Sequence, residues 1–169
     1  MKGTLRWEKA ASQFNAGKKT SAAIFDKATR VETFRLFPTS ASDKPVGDVR
    51  GFATYWRGTT GAGFARKLGA VLLRPDTYVL PGQSTTLCYF EPGVAYRVWS
   101  GTKFLDVVVC FHCNQLGVVE NDPKVPERNI GGRLSARMNV LGNFNPARAE
   151  LLSLTKEAFA SDEALQAIR

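Results

Sequence analysis

The chain has few of the residues that most often carry out chemistry in proteins. Its 169 residues include one histidine and three cysteines, and all four lie between Cys88 and Cys113. Motifs for nucleotide phosphates, dinucleotides, catalytic zinc and esterase-type nucleophiles are absent. No stretch reaches the roughly 20 apolar residues that a membrane-spanning helix needs. These absences leave a soluble, non-enzymatic binding or structural module as the first hypothesis, with no residue assigned a catalytic role.

Lysine and arginine are in excess, and the excess is concentrated near the N-terminal end. The net charge is +8; residues 1–35 hold eight Lys/Arg against three Asp/Glu, whereas residues 101–169 hold eight of each. Such an excess can attract nucleic acid, anionic lipid or an acidic protein. Binding of single-stranded nucleic acid also needs aromatic groups among the charges, and only Trp7, Trp56 and Arg57 offer that combination. We therefore expect an unknown protein as the first partner, and keep a basic anion or nucleic-acid binder as an alternative.

The pattern along the chain predicts a single α+β domain that follows a basic arm. Residues 1–28 are small, polar and basic, which is typical of an arm or short helices, and residues 29–169 form the domain. Runs rich in β-forming residues predict strands at 30–37 and 49–56, with a bulge at Gly51 in the second.

Helical periodicity appears in the middle and at the end of this predicted domain. A helix is predicted over 59–74, capped by Thr59 or Thr60, because one face collects Phe64, Leu68, Val71 and Leu72. Pro146 is placed to begin further helices at the C-terminus. Together these patterns predict an antiparallel sheet of about four to five strands with a mid-chain helix and C-terminal helices.

The segment 88–113 predicts a β-hairpin whose register brings particular side chains together. A two-residue turn at positions 100–101 would place Cys88 opposite Cys113, on the apolar face of the hairpin. The same register places Arg97 diagonal to Asp106 on the other face, and this predicts an ion pair between them.

The cysteines of this hairpin allow four interpretations. They could be buried thiols, or Cys88 and Cys113 could form a disulfide in an oxidising compartment. The spacing of Cys110 and Cys113 is also that of a zinc knuckle, which Cys88 and His112 could complete. Finally, Cys110 and His112 share a strand face and could support thiol-redox chemistry. A zinc-binding or thiol-redox protein that uses these four residues is therefore an alternative function, with zinc as its possible cofactor.

The segments RVETFRL, CYFEPGVAYRVW, LDVVVCFHCNQL and NPARAELLSLTKEAF resemble a group of uncharacterised bacterial proteins. In that group a hairpin of the type Cys-x-x-Pro-Gly-x-x-x-Arg leads into a strand of the type Asp-Val-Val-Val-Cys-Phe-x-Cys. In this chain Cys88 lies four residues before Pro92, and the similarity covers roughly residues 30–169. The resemblance implies no activity, but such groups often carry export signals, so it favours an exported or periplasmic domain over a cytoplasmic one.

Overall fold

The structure, a computed structural model, describes residues 21–79, 88–121 and 139–169. Most of the predicted basic arm, residues 1–28, lies outside these ranges. In the part of the chain that is described, no helix is long and apolar enough to cross a membrane.

The predicted α+β class is confirmed: an antiparallel sheet is combined with a mid-chain helix and C-terminal helices. The described strands are β1 (Arg30–Arg35), β2 (Gly47–Val49), β3 (Phe52–Thr54), β4 (Trp56–Gly61), β5 (Val94–Ser100), β6 (Lys103–Cys110), β7 (Gln115–Glu120) and β8 (Asn139–Asn143). The described helices are α1 (21–26), α2 (Ala62–Leu72), α3 (Arg148–Ala158) and α4 (Glu163–Gln166), with short 3-10 turns at Pro75–Thr77 and Asn145–Ala147.

The main sheet contains six of these strands in the order β4-β1-β5-β6-β7-β8, and all neighbours are antiparallel. Strand β6 lies at its centre and is buried at every position after Lys103. A strand that is covered on both faces can be apolar throughout, which explains why this strand is nearly continuous in valine and leucine. The two faces of the sheet are covered by different parts of the chain.

The first face of the sheet packs against the helices and forms the larger core. Helix α2 buries the four apolar residues on which its prediction rested, and α3 and α4 add further apolar residues. The central contacts join Tyr96 of β5 to Phe64 of α2, with ring centroids 5.5 Å apart, and its hydroxyl to Thr155 of α3 at 2.6 Å. Two exposed ion pairs also connect α2 and the residues just after it with α3, namely Lys67–Glu157 and Arg74–Glu150.

The second face is covered in part by a small hairpin made of β2 and β3. Val49 from this hairpin is buried with Phe34, Ala95 and Val108 of the main sheet, and Phe52 packs at the edge of the same cluster. The prediction of one strand over 49–56 with a bulge at Gly51 is wrong. The chain turns at Arg50 and Gly51, whose φ angles are +55° and +86°, so two short strands form instead.

Helix α2 also begins later than predicted, because Thr59 and Thr60 belong to β4. Strand β4 pairs with β1 as far as Gly61, so tertiary pairing takes residues that local pattern assigned to the helix. Gly61 is the N-cap, and no side chain caps the helix there.

Two glycines of α2 give a direct test of this packing. A Cβ atom at Gly69 would lie 2.8 Å from Phe25 of α1, whereas one at Gly63 would meet nothing within 4 Å. We expect Gly69→Ala to lower the free energy of unfolding by about 1–3 kcal/mol. Gly63→Ala should raise it by up to about 1 kcal/mol, because alanine favours the helix. Urea denaturation of both variants measures the difference, and equal stabilisation of the two would contradict the close α1–α2 contact.

Candidate functional site

The hairpin of β5 and β6 has a register that differs from the predicted one. Ser100 pairs with Lys103, so the two-residue turn is Gly101-Thr102, and the predicted turn at positions 100–101 is wrong by one residue. Gly101 adopts φ +61°, which the turn requires and which glycine reaches without strain. Paired residues shift by two positions, so each side chain keeps its predicted face, and Arg97 lies directly opposite Asp106 instead of diagonal to it.

Asp106 is the most buried charged group of this hairpin, with none of its side chain exposed. Arg97 donates from Nε to Asp106 Oδ1 at 2.7 Å and from Nη2 to Oδ2 at 3.0 Å. Arg50, at the turn of the small hairpin, donates from Nε to Oδ2 at 2.6 Å. The predicted Arg97–Asp106 ion pair is present, and a second arginine that the sequence did not indicate completes it.

Aromatic rings and guanidinium groups continue this network across three strands. Arg30 pairs with Trp99, and Trp99 pairs with Phe104, on β1, β5 and β6 respectively. The Arg30 guanidinium lies 4.6 Å from the Trp99 ring centroid, the Trp99 and Phe104 centroids are 4.7 Å apart, and Arg97 lies 4.1 Å from the Phe104 centroid. We call Arg30, Trp99, Phe104 and Arg97 the arginine–aromatic row.

Glu32 secures the β1 side of this row. Its carboxylate accepts hydrogen bonds from Trp99 Nε1 at 3.0 Å and from Arg57 Nη2. Burial opposes the charged carboxylate, but these hydrogen bonds outweigh it, and the pKa of Glu32 falls below its ordinary value. Arg57 itself remains 61% exposed, so its guanidinium is held in place and still faces solvent.

A small cleft opens beside the row, between the main sheet and the small hairpin. Its volume is about 120 Å³, and its charged lining residues are Glu32, Asp48, Arg57 and Arg97. Two carboxylates and two guanidinium groups line it, so the cleft itself is close to neutral. Solvent can reach positive charge at Arg57, which lines the cleft, and at Arg30, which is exposed on β1.

Of the four interpretations of the cysteines, the structure contains the disulfide: Cys88 and Cys113 are bonded, with a Cα–Cα distance of 5.7 Å. Strand β6 ends at Cys110, and Cys113 lies in the turn 111–114 that connects it to β7. The bond therefore attaches the segment before β5 to this turn, rather than closing a regular ladder. Closing a loop of 25 residues limits the unfolded chain and stabilises the fold by about 3–4 kcal/mol.

The other two cysteine-site candidates lie close by in sequence but in different surroundings. Cys110 is a free, fully buried cysteine, and its Sγ accepts a hydrogen bond from the Cys113 backbone N–H at 3.4 Å. His112 is exposed on the turn, so the prediction that it shares a strand face with Cys110 is wrong. Within residues 21–79, 88–121 and 139–169, no three His, Cys, Asp or Glu side chains are grouped so that they could hold a metal ion.

The turn that carries Cys113 is fastened to the C-terminal part of the chain. Arg148, at the start of α3, donates to the Phe111 carbonyl at 2.6 Å, to Asn114 Oδ1 at 2.5 Å and to the Arg169 carbonyl at 2.7 Å. Asn114 adopts φ +53° and accepts at its carbonyl from Phe144 N–H at 2.7 Å. These bonds hold the turn in addition to the disulfide.

Sequence reasoning missed Glu32, Arg50, Trp99 and Arg148. A weak signal existed for Glu32, because a charged residue inside a strand of β-forming residues must find a partner if the strand is buried. Arg50-Gly51 could also have indicated a turn. No pattern pointed to Arg148, because its partners lie 21 to 37 residues away in sequence.

No family model, curated protein or solved structure matches this chain. The resemblance to a bacterial protein group therefore stays a prediction.

The buried carboxylate of Asp106 is the first point of this site to test. Asp106→Ala would leave Arg97 and Arg50 without their shared anion, and we expect the free energy of unfolding to fall by about 3–5 kcal/mol. Asp76→Ala is the matched control, because Asp76 also pairs with an arginine but is 79% exposed, so its loss should cost about 1 kcal/mol or less. Urea denaturation gives both values. Equal losses in the free energy of unfolding would show that Asp106 contributes no more to stability than an exposed ion-pair partner. If the alanine variant does not fold, Asp106→Asn tests the contribution of the charge alone.

Proposed function

We propose that this protein is a non-enzymatic binding module that uses the arginine–aromatic row, together with Arg57, to bind an acidic protein surface. The observation that carries the proposal is the row itself, in which Asp106 holds the Arg97 guanidinium against Phe104 and Glu32 holds the Trp99 ring next to Arg30. Arginine and tryptophan are enriched at protein interfaces and dominate their binding energy. A surface held in place before binding loses less side-chain freedom when a partner arrives.

The charges of the row favour an acidic partner. Arg30 and Arg57 are exposed, and both reach solvent from the same face of the sheet. Asp106 is fully buried between Arg97 and Arg50, so it does not present a negative charge to a partner. Acidic side chains of a partner can therefore meet exposed guanidinium groups at two positions, and arginine binds carboxylates in a bidentate geometry.

A protein partner is favoured over single-stranded nucleic acid because the aromatic rings already have protein neighbours. Base stacking needs an open ring face, whereas Arg30 lies over Trp99, and Phe104 has Arg97 over it and is buried. Trp56, which the sequence offered for this role, packs against Phe159 on the helix side, with centroids 5.2 Å apart. Trp7 lies outside the described residues.

Selection from a phage-displayed library of random 12-residue peptides tests the proposal. We expect the selected peptides to be rich in Asp and Glu. The double variant Arg30→Ala, Arg57→Ala should bind these peptides with an affinity at least about tenfold lower than that of the wild type. Arg66→Ala is the control, because Arg66 is exposed on α2 and lies on the helix side of the sheet. In each titration the indole N–H signal of Trp99, identified by its loss in Trp99→Phe, should shift.

Two outcomes would overturn this function. One is selection of peptides whose affinity is the same for the wild type and the double variant. The other is that the wild type binds a 30-nucleotide single-stranded DNA, the double variant does not bind it, and no acidic peptide binds to either protein. That result would indicate a nucleic acid as the partner instead of a protein.

We also propose that the protein works in an oxidising compartment, as an exported domain. The Cys88–Cys113 disulfide supports this, because structural disulfides persist outside the reducing cytosol. In acid-quenched samples from the cells that naturally make the protein, alkylation under non-reducing conditions should label one cysteine of the chain. The same chain produced in a reducing cytosol is the control and should accept three labels. Three labels in the natural cells would contradict export to an oxidising compartment.

A further inference from the structure

The turn 111–114 brings a disulfide and a free cysteine into contact. Cys113 is bonded to Cys88, and the free thiol of Cys110 lies at the start of the turn, where it accepts the N–H of Cys113. We propose that Cys110 exchanges with this disulfide, so that the protein converts between a Cys88–Cys113 form and a Cys110–Cys113 form. This inference does not depend on the proposed binding surface.

The alternative bond would join two cysteines that are already in contact through a backbone N–H. Cys110 and Cys113 are three residues apart across a turn, a spacing at which Cα atoms approach to within about 7 Å. Disulfides join Cα atoms that are about 4.4–6.8 Å apart. Because the Cys113 N–H points at Cys110 Sγ, the attacking sulfur lies over the backbone of the residue that it would attack.

The turn keeps its shape when Cys88 leaves, because other contacts hold it. Arg148 bonds to the Phe111 carbonyl and the Asn114 side chain, and Phe144 donates to the Asn114 carbonyl. The Asn114 side chain also donates to Asn145 at 3.1 Å. The pair Cys110 and Cys113 is therefore anchored to the C-terminal part of the chain in either form.

Cys88 is the sulfur with the greatest freedom to leave. It lies in the segment 88–93, which forms no strand, and the backbone joins the sheet again at Gly93, whose N–H donates to Val109. Cys88 is partly exposed, and the neighbouring Tyr89 is 87% exposed. By contrast, Cys110 and Cys113 are both buried. The exchange therefore moves a free thiol from the interior to the surface.

The exchange needs no added oxidant or reductant, because its electrons and protons balance within the three cysteines and the solvent. The Cys110 thiol gives up its proton, and the thiolate attacks Cys113 Sγ. The Cys110–Cys113 bond forms as the Cys88–Cys113 bond breaks, and the electron pair of the broken bond stays on Cys88 Sγ, which takes up a proton. One disulfide and one thiol are present before and after the step.

Tryptic peptides distinguish the two forms directly. Cleavage after Lys67, Arg97, Lys103 and Lys124 places Cys88 in peptide 68–97 and both other cysteines in peptide 104–124, because Arg74 precedes a proline and is not cleaved. The Cys88–Cys113 form yields the two peptides linked, whereas the exchanged form yields them separate, with the bond inside 104–124. We expect native protein kept at pH 8 with N-ethylmaleimide, then quenched in acid, to accumulate label on peptide 68–97. Label confined to peptide 104–124 would overturn the release of Cys88.

Cysteine variants test the alternative bond itself. After incubation with oxidised glutathione, Cys88→Ser should form the Cys110–Cys113 disulfide, seen as a loss of two hydrogens in the intact mass and no alkylation. Cys113→Ser is the matched control, since it keeps Cys88 and Cys110 but removes the shared sulfur, and it should form no internal disulfide. Two free thiols in folded Cys88→Ser, under conditions that fully oxidise the wild type, would rule out the exchange. Retained native near-ultraviolet circular dichroism establishes that the variant is folded.

Discussion

The second face of the sheet depends on one buried charge. Asp106 lies in the middle of the central strand with no exposed side-chain surface, and a carboxylate there is tolerable only if cations and hydrogen bonds surround it. Arg97 comes from the neighbouring strand, and Arg50 comes from the turn of the small hairpin. The same charge therefore positions that turn over the sheet and, through Arg97, orders the Phe104 end of the arginine–aromatic row.

The opposite end of the central strand is organised by sulfur and by a distant arginine. The chain leaves β6 at Cys110, and the following turn is joined to the segment before β5 by the disulfide and to α3 by Arg148. The two ends differ in chemistry. One end holds paired ions on a partly open face, and the other holds a disulfide next to a buried free thiol.

Local pattern predicted the elements of this fold better than their ends. The apolar face of α2 and the strand character of β1 and β6 were visible because burial on one or both faces imposes a period on the sequence. The same patterns placed the start of α2 too early, and they predicted one strand over 49–56 where the structure has parts of β2, β3 and β4. Those ends are set by pairing with β1, a strand that lies more than 20 residues earlier, and by positive φ angles at Arg50 and Gly51.

The sequence by itself determined the α+β class, the alternation of faces along β5 and β6, and the pairing of Arg97 with Asp106. For Cys88 and Cys113 it left the disulfide as one of four interpretations. A two-residue error in register preserves the face of each side chain within the two strands, which is why the Arg97–Asp106 pairing survived it. Cys88 and Cys113 lie outside the paired strands, so their bond does not depend on that register. Only the tertiary structure decided that Arg50 shares Asp106 and that Arg148 holds the cysteine turn. The guanidinium of each meets atoms far away along the chain, and such contacts are chosen by packing and charge compensation, which leave no local period to read.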